Sequence, residues 1–122
     1  YEHVEISETG FAENGRDTER IRRIMEYIQA HYAEKITLEE LAEQIHLCRS
    51  ESCRLFKRYM KESMFDYLLD YRIERSLELL RRPELDVTQI AGQTGFTSPG
   101  YFSKIFKRKM GCTPLEYRKN HR

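Results

Sequence analysis

Two stretches of the sequence, "FKRYMKESMFDY" at residues 56–67 and "FKRKMGCTPLEY" at residues 106–117, match at Phe, Lys, Arg, Met and Tyr when the chain is shifted by fifty residues. A shift of 49 aligns Ala42 with Ala91, so one extra residue enters the second copy in the turn where Gly95 lies. Self-similarity at a fixed spacing indicates one structural unit built more than once. The sequence therefore predicts a duplicated module.

Helix-start signals show what each module contains. In "TLEELAEQI", Thr37 and Glu40 form a capping box, in which each side chain binds a backbone N–H left free at the helix start. Three further starts follow: Asp86 with Gln89, Ser98 with Pro99, and Thr113 with Pro114 and Glu116. Gly111 is predicted to end the helix that begins after Ser98. Each copy is thus a short capped helix, a turn and a second helix.

Longer helices precede and join the two copies. Apolar residues at helical spacing, from Ile21 through Ile24 and Ile28, predict a packing helix capped by Asp17 or Thr18. A second long helix, "MFDYLLDYRIERSLELLRR", is expected to end before Pro83. We predict seven helices and no strand.

The predicted architecture is all-α, with two helix-turn-helix subdomains joined by a long linker helix. Residues 18–122 form this region. Its parts are the first subdomain at 18–63, the linker helix at 64–82 and the second subdomain at 83–122. Residues 1–17 are interpreted as an acidic linker or tail from a missing N-terminal domain.

Composition limits the class of protein. The chain has 122 residues, 34% of them charged, and no apolar run long enough to cross a membrane. Its first residue is Tyr1, which we interpret as a sign that the sequence is a fragment. Three cysteines at spacings that match no common disulfide or zinc framework favour reduced thiols, and therefore a cytoplasmic protein.

Charge is unevenly distributed along the chain. Residues 1–19 carry six acidic side chains against Arg16, a balance of −5, so the remainder carries +6 within the total of +1. One basic cluster lies at residues 49–61, and another begins at residue 98, where seven Lys or Arg accompany Glu116 alone. Two separated basic segments favour two contacts with a polyanion.

The outward faces of the second helices suit such contacts. If Leu55 and Phe56 point inward, helical spacing sends Ser50, Cys53, Arg54 and Lys57 to another face. The same register in the second copy gives Gly100, Ser103, Lys104 and Lys107. On duplex DNA the second helix of a helix-turn-helix lies in the major groove. Arg54 is the best single base reader, because its planar fork can donate two bonds to guanine, whereas Lys104 is a point charge.

The segments "ITLEELAEQIHLCRSESCRLFKRYM" and "DVTQIAGQTGFTSPGYFSKIFKRKMGCTPLEYRK" resemble the tandem helix-turn-helix domain of AraC/XylS-type bacterial transcription regulators. The resemblance covers roughly residues 18–120. It implies two recognition helices in successive major grooves, sequence-specific binding of promoter DNA, and control of RNA polymerase. An effector or dimerisation domain is expected on the N-terminal side. The chain departs from the family pattern at Cys48, where a Ser-like cap is usual, and at Ser52, where a buried aliphatic residue is common.

The resemblance also implies residue roles. Base contacts would fall to Arg49, Ser50, Cys53, Arg54, Gly100, Ser103 and Lys104. Phosphate contacts would fall to Thr37, Lys57, Arg58, Thr88, Lys107 and Arg108. No cofactor is expected.

Other interpretations were weighed against these residues. His46, Cys48 and Cys53 lack a fourth ligand and the usual zinc spacing, so no metal site is predicted. Cys53 beside Arg54 leaves a redox-sensing thiol open as an alternative to an inert small side chain. No catalytic grouping is recognisable, so an enzyme is not predicted, and enzyme chemistry would require a fused domain outside this sequence. A basic module that binds an acidic protein partner is the alternative function.

Overall fold

The computed structural model describes residues 11–121, with side chains from Gly15 onward, and the regular secondary structure of this part of the chain is α-helical. Its seven helices are α1 (Phe11–His31), α2 (Leu38–Glu43), α3 (Arg49–Met60), α4 (Met64–Leu80), α5 (Val87–Gln93), α6 (Pro99–Met110) and α7 (Pro114–Asn120). The predicted all-α class is confirmed. Within the same residues, no helix is both long and apolar enough to cross a membrane.

The chain divides into two units. The first comprises the residues up to His31 together with Ile36–Tyr67, and the second comprises Tyr32–Lys35 together with the residues from Leu68 onward. Helix α4 runs through the division, so its first turn belongs to the first unit and the rest to the second. Each unit has its own buried side chains.

The core of the first unit follows from the apolar stripes of α1, α2 and α3. Helix α1 packs against both α2 and α3. The fully buried side chains on these helices include Ile24, Ile28, Leu41 and Phe56. Residues at i, i+3, i+4 and i+7 share one helix face, so these positions turn inward together and leave the charged residues outside.

The second unit has an aromatic core. Its buried residues come from α4, α5, α6 and the turn between the last two: Leu69, Ile73, Leu80, Ile90, Ala91, Phe96, Phe102, Ile105 and Phe106. Edge-to-face and tilted ring contacts connect Phe96, Phe102 and Phe106 at centroid distances of 5.1 and 5.7 Å. Such geometries are favourable for aromatic pairs beyond the area they bury.

The repeat predicted from the sequence is visible in the tertiary contacts. Phe56 and Tyr67 meet edge to face at 5.8 Å, and Phe106 and Tyr117 meet at the same distance. Each tyrosine therefore anchors the helix that follows the second helix of its module. Tyr67 is buried, and Tyr117 packs on the second core.

Helix α1 begins earlier than the sequence predicted. It starts at Phe11, so neither Asp17 nor Thr18 is its cap, and residues 11–17 of the predicted tail are helical. Ion pairs at i,i+3 and i,i+4, such as Arg20 with Asp17 and Arg23 with Glu19, stabilise the polar first half of α1. Residues 1–10 of the predicted tail lie outside the described residues.

The end of α4 also differs from the predicted bound. The helix ends at Leu80 and not at residue 82. Pro83 has no N–H to continue the helix, and the Arg118 guanidinium donates hydrogen bonds to the carbonyls of Leu80 at 2.8 Å, Arg82 at 3.1 Å and Leu85 at 2.6 Å. Phe65, in the first turn of α4, is 46% exposed.

Arg72 holds a second interhelical turn in the same way. Its Nε donates to the Tyr32 carbonyl at 2.8 Å and its Nη2 to the Glu34 carbonyl at 2.9 Å. Arg72 is 7% exposed, and burial lowers the pKa of its guanidinium from the usual value. Gly95 lies against this site with a φ of +91°, and a Cβ there would come within 2.5 Å of the Tyr32 carbonyl oxygen. Glycine is therefore required at position 95.

Candidate nucleic-acid interface

The first helix-turn-helix consists of α2, a turn and α3. The predicted capping box is confirmed: the Glu40 N–H donates to the Thr37 hydroxyl at 3.1 Å, and the Thr37 N–H donates to the Glu40 carboxylate at 2.7 Å. The turn contains His46 in the left-handed conformation, with a φ of 58°. Cys48 is the N-cap of α3, but its side chain makes no capping hydrogen bond.

Helix α3 separates an inner from an outer face. Ser52, Leu55 and Phe56 are buried. On the opposite side Ser50, Arg54 and Lys57 are exposed and Cys53 is half-buried. The predicted orientation of α3 is therefore confirmed, whereas the DNA contacts of these residues remain predictions.

Two of the three arginines on α3 have partners within the first unit. Arg49 pairs with Glu39 of α2 at 3.2 Å. Arg58 lies 3.6 Å from the Asp17 carboxylate and 5.0 Å from the centre of the Tyr59 ring. Arg54 is exposed and makes no hydrogen bond or ion pair with any residue that the structure describes. Its guanidinium is the one on this helix with all its donors available.

Asp17 connects α1 to the basic end of α3. The Tyr59 hydroxyl donates to the Asp17 carboxylate at 3.0 Å, and Arg20 binds the same carboxylate at 3.3 Å. Burial, and then this hydrogen bond, raise the pKa of the Tyr59 hydroxyl above its usual value of 10.0. The contact fixes the last turn of α3, which carries Lys57 and Arg58.

An open groove beside α3 brings in residues that the sequence analysis missed. Asp17 and Arg20 of α1 line it together with Cys53, Arg54 and Lys57 of α3. Arg20 is therefore a further cation beside the predicted contact residues. Its helical spacing from Asp17 was readable in the sequence, but its proximity to α3 depends on the packing of α1.

The second helix-turn-helix consists of α5, a turn and α6. Asp86 and Gln89 form the predicted capping box, and the Ser98 hydroxyl accepts from the Tyr101 N–H at 3.1 Å. Gly95 matches His46 in its left-handed conformation, and Ser98 matches Cys48 as the N-cap. The extra residue of the second copy therefore lies between Gly95 and Ser98.

The outer face of α6 differs from that of α3 at its start, where Gly100 takes the place of Ser50. Gly100, Lys104, Lys107 and Arg108 are exposed and Ser103 is half-buried, while Phe102, Ile105 and Phe106 are buried on the other side. The predicted orientation is confirmed here also. A Cβ built on Gly100 would have no atom within 4 Å.

The last turn of α6 is bound by an aspartate on the preceding long helix, as is the last turn of α3. Lys109 Nζ lies 2.6 Å from the Asp70 carboxylate of α4. Lys109 is the repeat equivalent of Tyr59, which binds Asp17 of α1. In both modules the second helix is thus tied near its C-terminal end to the long helix that precedes the module.

Thr37 and Thr88, both predicted to contact phosphate, occupy different positions. Thr37 is the N-cap of α2, and its hydroxyl is engaged in the capping box. Thr88 is exposed at the second position of α5, behind the N-cap Asp86. The equivalent of Thr88 in the first module is Glu39, so a neutral hydroxyl replaces a carboxylate there.

The three cysteines are free thiols. Cys48 is exposed, and Cys53 and Cys112 are half-buried. Within residues 11–121, no group of three or more His, Cys, Asp or Glu side chains could hold a metal ion.

Comparison with known proteins agrees with this geometry. A family model described as "Helix-turn-helix domain" matches residues 41–120. An uncharacterised HTH-type transcriptional regulator of Bacillus subtilis, YdeC, is 46% identical over 100 residues, which are 82% of this chain and 34% of YdeC. The Msm operon regulatory protein of Streptococcus mutans is 29% identical over 99 residues, which are 81% of this chain and 36% of that protein. The chain spans about a third of the length of these curated relatives.

Two solved structures share the fold. The C-terminal domain of AraT, a response regulator from Geobacillus stearothermophilus, has a TM-score of 0.79 and 34% identity, over 84% of this chain and 85% of that one. The DNA-binding domain of AdpA, a global transcriptional factor solved in complex with a target DNA, has a TM-score of 0.79 and 25% identity, over 84% and 93%.

Two capped helix-turn-helix units, each with a polar and basic outer face, define a tandem helix-turn-helix domain. The match over residues 41–120 shows which one: the chain belongs to the AraC-type helix-turn-helix family of bacterial transcription regulators.

Proposed function

We propose that this chain is the sequence-specific DNA-binding part of a longer bacterial transcription regulator. Helices α3 and α6 enter successive major grooves of promoter DNA, and the complex controls RNA polymerase at that promoter. A domain on the N-terminal side supplies the effector response or dimerisation. The protein acts in the cytoplasm, and its output is binding and not catalysis.

One observation carries this proposal: the same unit is built twice, and both copies expose a cationic face on their second helix. In the first, Arg54 and Lys57 are exposed, and in the second, Lys104 and Lys107. Along a helix that fits the major groove, some cations bind phosphates, and others, together with polar side chains, reach the base edges. The AdpA domain of the same fold, which was solved with its target DNA, supports duplex DNA as the ligand.

The phosphate contacts can be tested through salt dependence. Each neutralised phosphate contributes about −0.9 to the slope of log affinity against log salt. We expect this chain to bind duplex DNA with a steep negative slope between about 50 and 200 mM salt. Replacing Lys107 and Arg108 by Gln is expected to make the slope shallower by roughly 1 for each lost contact.

Fluorescence anisotropy with a labelled duplex measures these slopes. Lys119→Gln is the matched control, because Lys119 is an exposed cation on α7, outside the two helix-turn-helix units. An unchanged slope for the Lys107/Arg108 variant would show that these two side chains of α6 do not contact phosphates. Salt-insensitive binding, or preference for an acidic protein over DNA, would contradict the proposed function as a whole.

A further inference from the structure

We propose that the two modules divide the work of recognition. The first module supplies base specificity by reading a guanine with Arg54, and the second holds the phosphate backbone with little discrimination among bases. This inference rests on the proposed function, and it adds to that function a division of roles between the two modules.

Among the three arginines of α3, Arg54 is the one without a partner in the described residues. Arg49 is engaged by Glu39, and Arg58 lies beside Asp17 and over the Tyr59 ring. Arg54 lies one turn further along α3 than Ser50, on the exposed face, and has no intramolecular partner among the described residues. A guanidinium with free donors can form two parallel hydrogen bonds to O6 and N7 of guanine, the most discriminating single contact in the major groove.

The equivalent surface of the second module lacks such a group. Position 100 has no side chain, and Ser103 is half-buried. Lys104 occupies the position of Arg54, and its ammonium is a point charge without the planar fork that matches guanine. Lys107 and Arg108 are exposed only in the last turn of α6, at the positions predicted to contact phosphate.

Gly100 has no function within the protein that the structure reveals. It lies in the first turn of α6, and a Cβ there would meet no atom within 4 Å. Glycine inside a helix is less stable than alanine, so position 100 gives up helix stability without any gain in packing. A bare backbone is useful where a ligand approaches closely. We infer that Gly100 lets the start of α6 lie against the duplex while the lysines bind phosphates.

Selection from a random duplex library tests the division of roles, with the full 122-residue chain and its Arg54→Lys and Lys104→Ala variants. The wild type is expected to select a guanine at one fixed position. Arg54→Lys keeps the charge but loses the fork, so the preference for that guanine is expected to fall roughly tenfold or more. Lys104→Ala is expected to weaken binding to all duplexes by a similar factor and to leave the selected motif unchanged.

Two results would overturn this inference while leaving the proposed function intact. The first is a wild-type motif with equal information in two halves, of which Lys104→Ala removes one. The second is an Arg54→Lys motif identical to that of the wild type. Failure of the wild type to bind any duplex in a salt-dependent way would instead reject the proposed function.

Gly100→Ala provides an independent measurement. The variant is expected to melt at the same or a higher temperature, because alanine favours the helix, and to bind duplex DNA more weakly, because the methyl group interferes with close approach. A variant that is equally stable and binds with wild-type affinity would show that α6 does not approach the duplex at this residue.

Discussion

Lys61 and His46 hold the left-handed conformation without being glycine. Lys61 ends α3 with a φ of 64°, and its repeat equivalent Gly111 ends α6 with a φ of 84°. His46, with a φ of 58°, is likewise the repeat equivalent of Gly95, whose φ is 91°. Because a Cβ crowds the backbone in this conformation, the first module stores strain at two turns where the second does not.

Lys61→Gly is expected to stabilise the protein. Removing the Cβ relieves a strain of about 1 kcal/mol, so the free energy of unfolding should rise by roughly that amount. Urea denaturation followed by circular dichroism measures the change. Gly111→Ala is the matched control and is expected to lower the same quantity. A lower stability for Lys61→Gly would mean that its hydrogen bond to the Arg58 carbonyl outweighs the strain.

Ser52 is a buried hydroxyl without a partner. Its Oγ has no hydrogen bond within the described structure, and the residue is 0% exposed. An unsatisfied buried polar group costs about 1–3 kcal/mol, so Ser52→Ala is expected to leave stability unchanged or raise it by about 1 kcal/mol.

Ser76 gives the matched comparison for Ser52. It is equally buried, but its hydroxyl donates to the Ile73 carbonyl at 2.6 Å. Ser76→Ala therefore removes a bond that is made, and it is expected to lower the free energy of unfolding by about 1 kcal/mol. The same denaturation assay applies. Equal losses in both variants would show that the Ser52 hydroxyl is satisfied in solution.

At the scale of the helix, the caps were the most predictable features. The boxes at Thr37, Asp86 and Thr113 each consist of two residues three apart, so both partners are visible in the local sequence. The start of α1 was predicted wrongly, and α4 ends at Leu80, two residues before the predicted bound. Helix α1 gains its first turns without an apolar stripe. Pro83 indicated that α4 ends before it, but the hydrogen bond from Arg118 to the Leu80 carbonyl depends on tertiary packing.

The weak cap of α3 leads to a prediction. Cys48 has the extended conformation of an N-cap, with φ −76° and ψ 166°, but forms no side-chain bond. Cys48→Ser supplies an acceptor for a free N–H and is expected to raise stability by about 1 kcal/mol. Ser98→Ala, at the equivalent cap of α6, is expected to lower it by a similar amount. Thermal melts compare the two, and no gain for Cys48→Ser would contradict the assignment of Cys48 as an uncompensated cap.

The cap of α7 is expected to make stability depend on pH. The backbone N–H of Thr113, then its hydroxyl, and then the charge of Lys107 hold the pKa of Glu116 below its usual value of 4.5. A lowered folded-state pKa stabilises the native state above the unfolded pKa, and this stabilisation is lost as pH falls from about 4.5 through the folded-state value.

Glu116→Gln is therefore expected to make the acid-side loss of stability shallower than in the wild type, as measured by urea denaturation at several pH values. Glu84→Gln is the control, because Glu84 is exposed and has no hydrogen bond to a described residue. Parallel curves for wild type and Glu116→Gln would show that the carboxylate does not cap α7 in solution.

At the scale of the whole molecule, the repeat revealed both helix-turn-helix units and the outward faces of α3 and α6, because helical periodicity fixes which residues point away from the core. The sequence could not reveal which cations are engaged. The pairs Arg49–Glu39 and Arg58–Asp17 join residues 10 and 41 positions apart, and only tertiary packing brings them together. Arg54 has no such partner among the described residues.

The overall charge balance gives a prediction for DNA affinity. Replacing Glu2, Glu5 and Glu8 by Gln removes three negative charges and moves the formal net charge from +1 to +4. Affinity for any duplex is expected to rise at about 50 mM salt and to approach the wild-type value near 1 M, where the Debye length is about 3 Å. Anisotropy titrations measure this. A difference that persists at high salt would indicate a direct contact and not a long-range field.

The hydrogen bonds of Arg72 and Arg118 impose an order on biosynthesis. The Tyr32 carbonyl can accept its hydrogen bond only after Arg72, 40 residues downstream, has been synthesised. The Leu80 carbonyl can accept its hydrogen bond only after Arg118, 38 residues downstream, has been synthesised. At elongation rates of about 5–20 residues per second, each turn stays open for some seconds after its own residues have emerged from the ribosome. The helices can form as they are made, but the two connections between them are closed from the C-terminal side, each by a single arginine.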